Sequence, residues 1–375
     1  MSVRDRPKRP IVLFWENFGP LHLDRIRATR VALKKYRLIG IQFFGESETY
    51  SWRVDESEYK DLRILNIFKT KKRRSWPAEL MGLINIYREI GRGYYFLCHY
   101  EKVSVFIFSI ILRILGNKVF HMNVSKFDDR KRVLLVEIIK KLALLPYCGG
   151  LGSAGRPIDY MRFLGLKNIH QQYNTVDIQR LYSQVEKSEI KKFDFHKKHF
   201  ICIARLVNKK NIATLIDAYF EYIHRYRGAR VLRICGDGPL YAELRSYAES
   251  KGLNEMIIFE GFLQSPELIP LLSCSIALLL PSWEEQYGNV ICESLALGVP
   301  VIVSEVCGAR ELLVSSGETG YFFEPDNPNG LAYFMNLIST DKGRWTKLST
   351  TARLYAAKVD APEFAAGVAA LLADS

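Results

Sequence analysis

The stretch Pro281-Ser-Trp-Glu-Glu-Gln-Tyr-Gly-Asn-Val-Ile-Cys-Glu293 decides how this chain is read. Ahead of it, residues 276–280 form an apolar run of strand length. Behind the Gly288 turn, the apolar spacing predicts a helix over about 290–297, stopped by Gly298-Val-Pro300, and residues 301–304 read as a second strand. A helix start leaves backbone N–H groups without partners, and the positive end of the dipole attracts phosphate. Glu285 and Glu293 flank that start. Carboxylates repel an anion, so they read as acceptors for ligand hydroxyls. The combined demand is a ligand carrying both phosphate and polyol, and a nucleotide sugar is one.

The rest of the sequence bounds this reading. With 375 residues, 48% of them hydrophobic, two domains are expected. Seven scattered cysteines, several inside apolar runs, fit reduced thiols in the cytosol better than a disulfide framework, and their spacing matches no zinc site. The basic N-terminus runs into a short strand without the apolar core of a signal peptide. The run 103–115 is interrupted by Arg113 and falls short of the roughly 20 residues a membrane span needs, so a core helix is expected. The net charge of +13 is unevenly held: residues 1–180 carry 33 Lys and Arg against 17 Asp and Glu, and the remainder 20 against 23. A one-sided basic half implies a polyanionic partner, such as a membrane surface, a lipid phosphate, an acidic glycan or a nucleic acid.

Along the chain, residues 11–15 predict a strand, followed by the turn Glu16-Asn-Phe-Gly-Pro20 and a helix carrying His22 and Asp24 near its start. This is the phosphate-approach arrangement of doubly wound folds with one glycine, Gly19, in place of a full fingerprint. The basic segment 69–74, with Lys71, Lys72, Arg73 and Arg74, precedes Trp76 and an apolar helix face containing Met81, Leu83, Ile84 and Tyr87. That composition suits contact with an anionic membrane surface as well as a solvated loop before a core helix. His99 and His121 each read as ending a strand, where open α/β sheets place ligands. Residues 148–155 read as a glycine-rich flexible loop, residues 184–199 as a linker, and His196 and His199 as solvated rather than metal-binding. From residue 200 strands and helices alternate regularly, which predicts a second doubly wound domain. Arg205 and Lys210 lie at the carboxyl edge of its first strand, within reach of a pyrophosphate. Gly236-Asp-Gly-Pro239 reads as a turn, 318–326 as a hairpin or short strand, and 329–374 as helical.

These elements together resemble the retaining glycosyltransferases of family four. The matching landmarks are Arg205-Leu-Val-Asn-Lys-Lys210-Asn, Gly236-Asp-Gly-Pro, Phe259-Glu-Gly261, the Glu-x7-Glu motif from Glu285 to Glu293, Ala296-Leu-Gly-Val-Pro300, Gly308 with Glu311, and Thr319-Gly320. The resemblance implies a GT-B fold: two facing Rossmann-like, doubly wound α/β domains with an interdomain cleft. It places residues 1–178 in an acceptor-binding domain and 179–375 in a nucleotide-sugar-binding domain, with the terminal helix, about 350–375, returning to the first. It further implies that Arg205 and Lys210 neutralise the donor diphosphate. Glu285 and the backbone of Gln286, Tyr287, Gly288 and Asn289 would hold the sugar, and Glu293 the ribose. Gly19, Gly236 and Gly261 line the donor, and His121, rather than His99, faces the reacting sugar. The chain departs from the family pattern at Gly19-Pro20, where two glycines are usual, and at Ala204 and Tyr287, where glycine and phenylalanine are usual.

The expected function is therefore retaining, metal-independent transfer of a sugar from a nucleoside-diphosphate sugar to a glycan or lipid-linked acceptor. Bacterial surface polysaccharide or lipopolysaccharide assembly is the expected setting, and the cytoplasm, peripherally on the membrane, the expected location. No cofactor is expected beyond the donor substrate, and Asp128-Asp129 reads as solvated rather than as a metal motif. The alternatives are a GT-B epimerase or phosphorylase, a basic nucleic-acid-binding protein, for which no motif speaks, and a catalytically silent glycan binder.

Overall fold

The computed structural model describes residues 9–45, 56–68, 74–129, 132–189, 194–227 and 230–374. The chain forms two compact units: one runs to Val176 and resumes from Ala361 to the end, the other is Asp177–Asp360.

The first unit opens with β1 (Pro10–Trp15), α1 (Pro20–Ala32), β2 (Arg37–Gln42) and β3 (Ile64–Asn66). Next come α2 (Trp76–Ile90), β4 (Tyr94–Leu97), α3 (Val103–Ile114) and β5 (Lys118–Asn123). It continues with α4 (Leu134–Leu144), β6 (Gly149–Gly152), α5 (Gly155–Phe163) and β7 (Ile169–His170). Its sheet has the order β3-β2-β1-β4-β5-β6-β7, with every pairing parallel. Parallel strands need helical crossovers that cover both faces, which is why β1 and most of β4 and β5 are buried apolar runs without alternation.

The second unit begins with α6 (Ile178–Lys187), β8 (His199–Ile203), α7 (Ile212–Tyr226), β9 (Leu232–Cys235) and α8 (Tyr241–Ser250). It continues through β10 (Ile257–Gly261), α9 (Ser265–Ser273), β11 (Ser275–Leu280), α10 (Asn289–Ala296) and β12 (Val301–Ser304). It closes with α11 (Arg310–Leu313), β13 (Gly320–Phe323), α12 (Pro328–Thr340) and α13 (Lys342–Ala356). The order is β10-β9-β8-β11-β12-β13, again all parallel, and β11 is buried along its whole length.

The last helix, α14 (Ala361–Ala373), belongs to the first unit. Its Phe364, Val368 and Leu371 complete a core with Leu13, Trp15, Phe18 and Tyr173. Residues 350–356 stay with the second unit as the end of α13.

Three local expectations are corrected, and one alternative is resolved. Residues 149–152 form the buried strand β6, not a flexible loop. Strand backbones approach so closely there that a Cβ on Gly150 would sit 2.5 Å from the carbonyl oxygen of His121, so glycine marks tight pairing instead of looseness. His121 does not end its strand: β5 continues two residues to Asn123, leaving His121 1% exposed inside the sheet. Of the two readings of 318–326, the short strand is the one formed, since residues 320–323 pair in parallel with β12. His199 opens β8 within the proposed linker, buried, with Nε2 3.0 Å from Ser275 Oγ, and is not solvated.

Phe364 is fully buried, with its ring 6.2 Å from Trp15 and 6.5 Å from Tyr173. Truncating it in Phe364→Ala should destabilise the first unit by about 3–5 kcal/mol, read as a lowered urea midpoint at an unchanged slope.

Candidate functional site

In an open parallel sheet, ligands bind beyond the carboxyl ends of the strands where the order reverses, because the flanking loops diverge there. In the second unit that reversal lies between β8 and β11. The loop after β8 carries Arg205 and Lys210, and the loop after β11 carries Glu285 to Gly288.

The two loops are joined. Lys210 Nζ donates to Glu285 Oε2 in an ion pair whose side chains are only 15% and 13% exposed. The backbone reinforces the pair: the N–H groups of Trp283 and Glu284 both donate to the carbonyl of Lys209, at 2.9 and 3.2 Å. Asn211, in the left-handed region with φ 56°, donates from Nδ2 to the carbonyls of Pro281 (3.0 Å) and Pro325 (2.8 Å) and accepts from Thr214 Oγ1. Its side chain replaces strand pairing as the tie among three loops.

A third loop, after β12, supports the second from below. Ser304 Oγ donates to the Ser282 carbonyl at 2.7 Å, and the Ala309 N–H donates to the Tyr287 carbonyl at 2.9 Å. A Cβ on Gly308 would lie 1.9 Å from the Gln286 carbonyl oxygen, so only glycine permits this backbone contact. Gly288, at φ 92°, caps α10, and Glu285 Cγ lies against it, so Glu285 reaches back over the helix start. Asn289 is the first helical residue, and Glu293 stands one turn in, part-exposed. Tyr287 is 2% exposed, with its hydroxyl 3.8 Å from Cys292 Sγ.

Arg205 lines a cavity of about 410 Å³ with Val207, Asn208, Lys209, Pro239 and Leu240. Gly236 follows β9 and donates its N–H to the Gly261 carbonyl at 2.7 Å, holding the 236–239 turn beside this cavity. The structure thus brings Arg205, Lys210, Glu285, Gly288, Asn289 and Gly236 to the carboxyl edge of one sheet. Gly261 joins them through the backbone of β10.

The first unit reverses between β1 and β4. Gly19 caps α1, and its N–H donates to His22 Nδ1 at 2.9 Å. That amide is therefore engaged by the imidazole, and Pro20 has no N–H to offer. Burial, then Arg25 and His99, hold the His22 pKa well below the usual value, keeping the ring neutral and able to accept. Across the reversal, His99 follows β4 with φ 62° and Nδ1 3.2 Å from Glu101 Oε1, while Lys102 Nζ meets Glu16 Oε1 at 2.5 Å. His121 lies one strand further, beneath Tyr100 and Tyr147 at ring distances of 5.0 and 5.3 Å. Among the described residues neither of its ring nitrogens has a hydrogen-bond partner, and burial lowers its pKa to about 4. Of the basic segment, Lys71, Lys72 and Arg73 lie outside the described residues; Arg74 sits 5.0 Å over the Phe68 ring, and Trp76 is 49% exposed.

Asn211, Ser304 and the Glu16–Lys102 pair were not singled out from sequence. The signal for Asn211 was its place directly after Lys210 at a helix start; the other two depend on contacts between loops far apart in the chain.

Residues 183–356 match the family model of glycosyl transferases group 1. N-acetyl-alpha-D-glucosaminyl L-malate synthase of Bacillus anthracis is 28% identical over 169 residues, 44% of this chain and 43% of that protein. The chain spans less than half the length of the first curated relatives it matches. In structure it is similar to apo lipopolysaccharide outer core galactosyltransferase WaaB, at TM-score 0.72 and 15% identity, covering 98% of this chain and 100% of that one. Anabaena HepE in complex with UDP-glucose gives TM-score 0.73 at 17% identity, with the same coverage. The fold is GT-B.

Two outcomes follow from this geometry. Asn211→Ala removes the tie between loops and should lower the melting temperature, whereas Asn211→Asp, which keeps Oδ1 but loses both donations, should be no better; calorimetry checks both. The buried histidines contribute to the acid side of stability. Burial lowers the folded pKa of His121 to about 4, and burial, then Arg233 and Lys198, lower that of His199 to about 3. The unfolded chain takes up these protons from about pH 6.5 downward and the folded chain does not. Stability from these groups is complete above about pH 6.5 and is lost as pH falls towards 4 and then 3, which melting curves across that range would show.

Proposed function

We propose that this chain is a glycosyltransferase that moves a sugar from a nucleoside-diphosphate sugar to a glycan or lipid-linked acceptor, with retention of configuration and without a metal. The observation that carries the proposal is the Lys210–Glu285 pair at the sheet reversal beside the start of α10. Without donor the two charges neutralise each other. An arriving diphosphate competes for Lys210, and the freed Glu285 carboxylate can then accept from the sugar hydroxyls. Arg205, Lys210 and the α10 dipole supply positive potential where the leaving diphosphate develops charge. Glu293 accepts from the ribose. The match to glycosyl transferases group 1 and the UDP-glucose held by Anabaena HepE support a nucleotide-sugar donor. The likeness to a lipopolysaccharide galactosyltransferase supports a bacterial surface glycan as product.

Of the two histidines considered for the reacting sugar, His121 and His99, the sheet position favours His99. His99 lies at the reversal of the first sheet, whereas His121 is buried one strand away. Contact of the Lys71, Lys72, Arg73, Arg74 and Trp76 segment with an anionic membrane belongs to the same proposal, supported by the half-exposed Trp76 indole.

Lys210→Ala and Glu285→Ala should each lose roughly 10²–10³-fold in kcat while remaining folded, and chelation should leave wild-type turnover unchanged. Near-wild-type kcat in both variants would refute the assignment. Kinetics of His99→Ala and His121→Ala separate the histidines: loss confined to a folded His121→Ala restores His121. Product analysis with donor alone distinguishes an epimerase, which needs no acceptor, and added inorganic phosphate distinguishes a phosphorylase.

A further inference from the structure

Helix α4 is turned inside out. Its one carboxylate, Glu137, is 6% exposed and faces the body of the first unit, where it accepts from the Tyr160 hydroxyl at 2.6 Å and pairs with Lys140 at 2.8 Å and Arg132 at 3.4 Å. Leu144 packs inward beside it. The opposite face carries Leu134, Leu135, Ile138, Ile139, Leu142 and Leu145, each between 47% and 75% exposed. An ordinary surface helix directs such a stripe to the core. Here the core contact is ionic and the stripe points to solvent. The apolar surface extends beyond the helix: Phe163 is 53% and Phe127 48% exposed, their rings 5.3 Å apart, and both pack on Tyr160. The Lys141 stem runs along the turn after Phe163, since a Cβ on Gly165 would lie 3.5 Å from Lys141 Cε. Continuous exposed apolar surface on this scale marks an interaction site.

The charges around it identify the occupant. Among the described residues of 126–167 there are seven Lys and Arg against four Asp and Glu. Besides the inward Glu137, Asp128 is paired with Lys126 and Arg156, Asp159 with Arg162, and Asp129 with Lys126. Lys141 flanks the apolar stripe. Two copies meeting through this face would bring like basic flanks together, whereas a bilayer offers acyl chains to the leucines and anionic headgroups to the bases.

We propose that α4, with Phe127 and Phe163, is an interfacial membrane anchor that lies in the headgroup region of anionic bilayers. This inference concerns the first unit and does not depend on the donor-site reading. It assigns the principal lipid contact to a surface other than the 71–76 segment.

Sedimentation with vesicles of phosphatidylcholine, alone or with phosphatidylglycerol, tests it on the full chain. Wild type should bind the anionic vesicles, and Ile138→Glu/Leu142→Glu should bind them roughly tenfold or more weakly at an unchanged melting temperature, because both side chains are solvent-facing. Ile139→Trp should show blue-shifted emission on anionic vesicles, as insertion requires. The proposal is overturned if wild type ignores both vesicle types or if the double glutamate variant binds as wild type does. It is equally overturned if only Trp76→Ala abolishes binding, or if sedimentation velocity shows a vesicle-independent dimer that the glutamates dissolve.

Discussion

The second unit depends on one partly buried charge pair meeting one sheet reversal. Taking Lys210 and Glu285 out of water has a cost that each repays only by staying with the other, and the backbone bonds from Trp283 and Glu284 to Lys209 hold their loops in register. Remove either charge and its partner stays in a largely desolvated site. The pair is thus a brace between the loops after β8 and β11 and, in the proposed reaction, a place that a phosphate enters by exchange. Such an exchange replaces one anion on Lys210 with another, so binding does not require a buried cation to be left alone.

The surrounding loops show how that site is kept rigid without regular structure. Asn211 spends its two amide hydrogens on carbonyls of two other loops, and Gly308 permits backbone contact with Gln286 where any side chain would collide. The loop that carries Glu285 is consequently held from both sides, by the 209–211 turn and by the 304–309 turn. Loops that carry function on a rigid scaffold usually gain precision this way, from side chains that complete the backbone's hydrogen bonding.

Much of this was legible in the sequence because parallel sheets print themselves as apolar runs. Ile276 to Leu280 announces a strand covered on both faces, and the Glu285-to-Glu293 spacing announces a helix start with carboxylates on either side. The readings that failed share a cause. In β6 glycine reports crowding between neighbouring backbones, yet in composition it resembles a loop. For His121, a two-residue extension of β5 turns an edge position into a buried one. His199 looked solvated because its neighbours Lys197 and Lys198 are charged, although strand pairing turns it towards Ser275. Each depends on what lies across the sheet, which spacing along one strand does not encode.

The orientation of helix α4 likewise depends on what lies across the unit. A stripe of leucine and isoleucine opposite Glu137 and Lys140 has the period of an amphipathic helix, whose apolar face ordinarily turns to the core. What inverts it is Tyr160, whose hydroxyl, together with Arg132 and Lys140, gives Glu137 a hydrogen-bonded ionic seat in the body of the unit. Without those partners the carboxylate would favour solvent and the helix would gain by rolling its leucines inward. The seat for Glu137 therefore holds the apolar face outward, and a surface unfavourable in water becomes fixed in the orientation that a lipid interface can use.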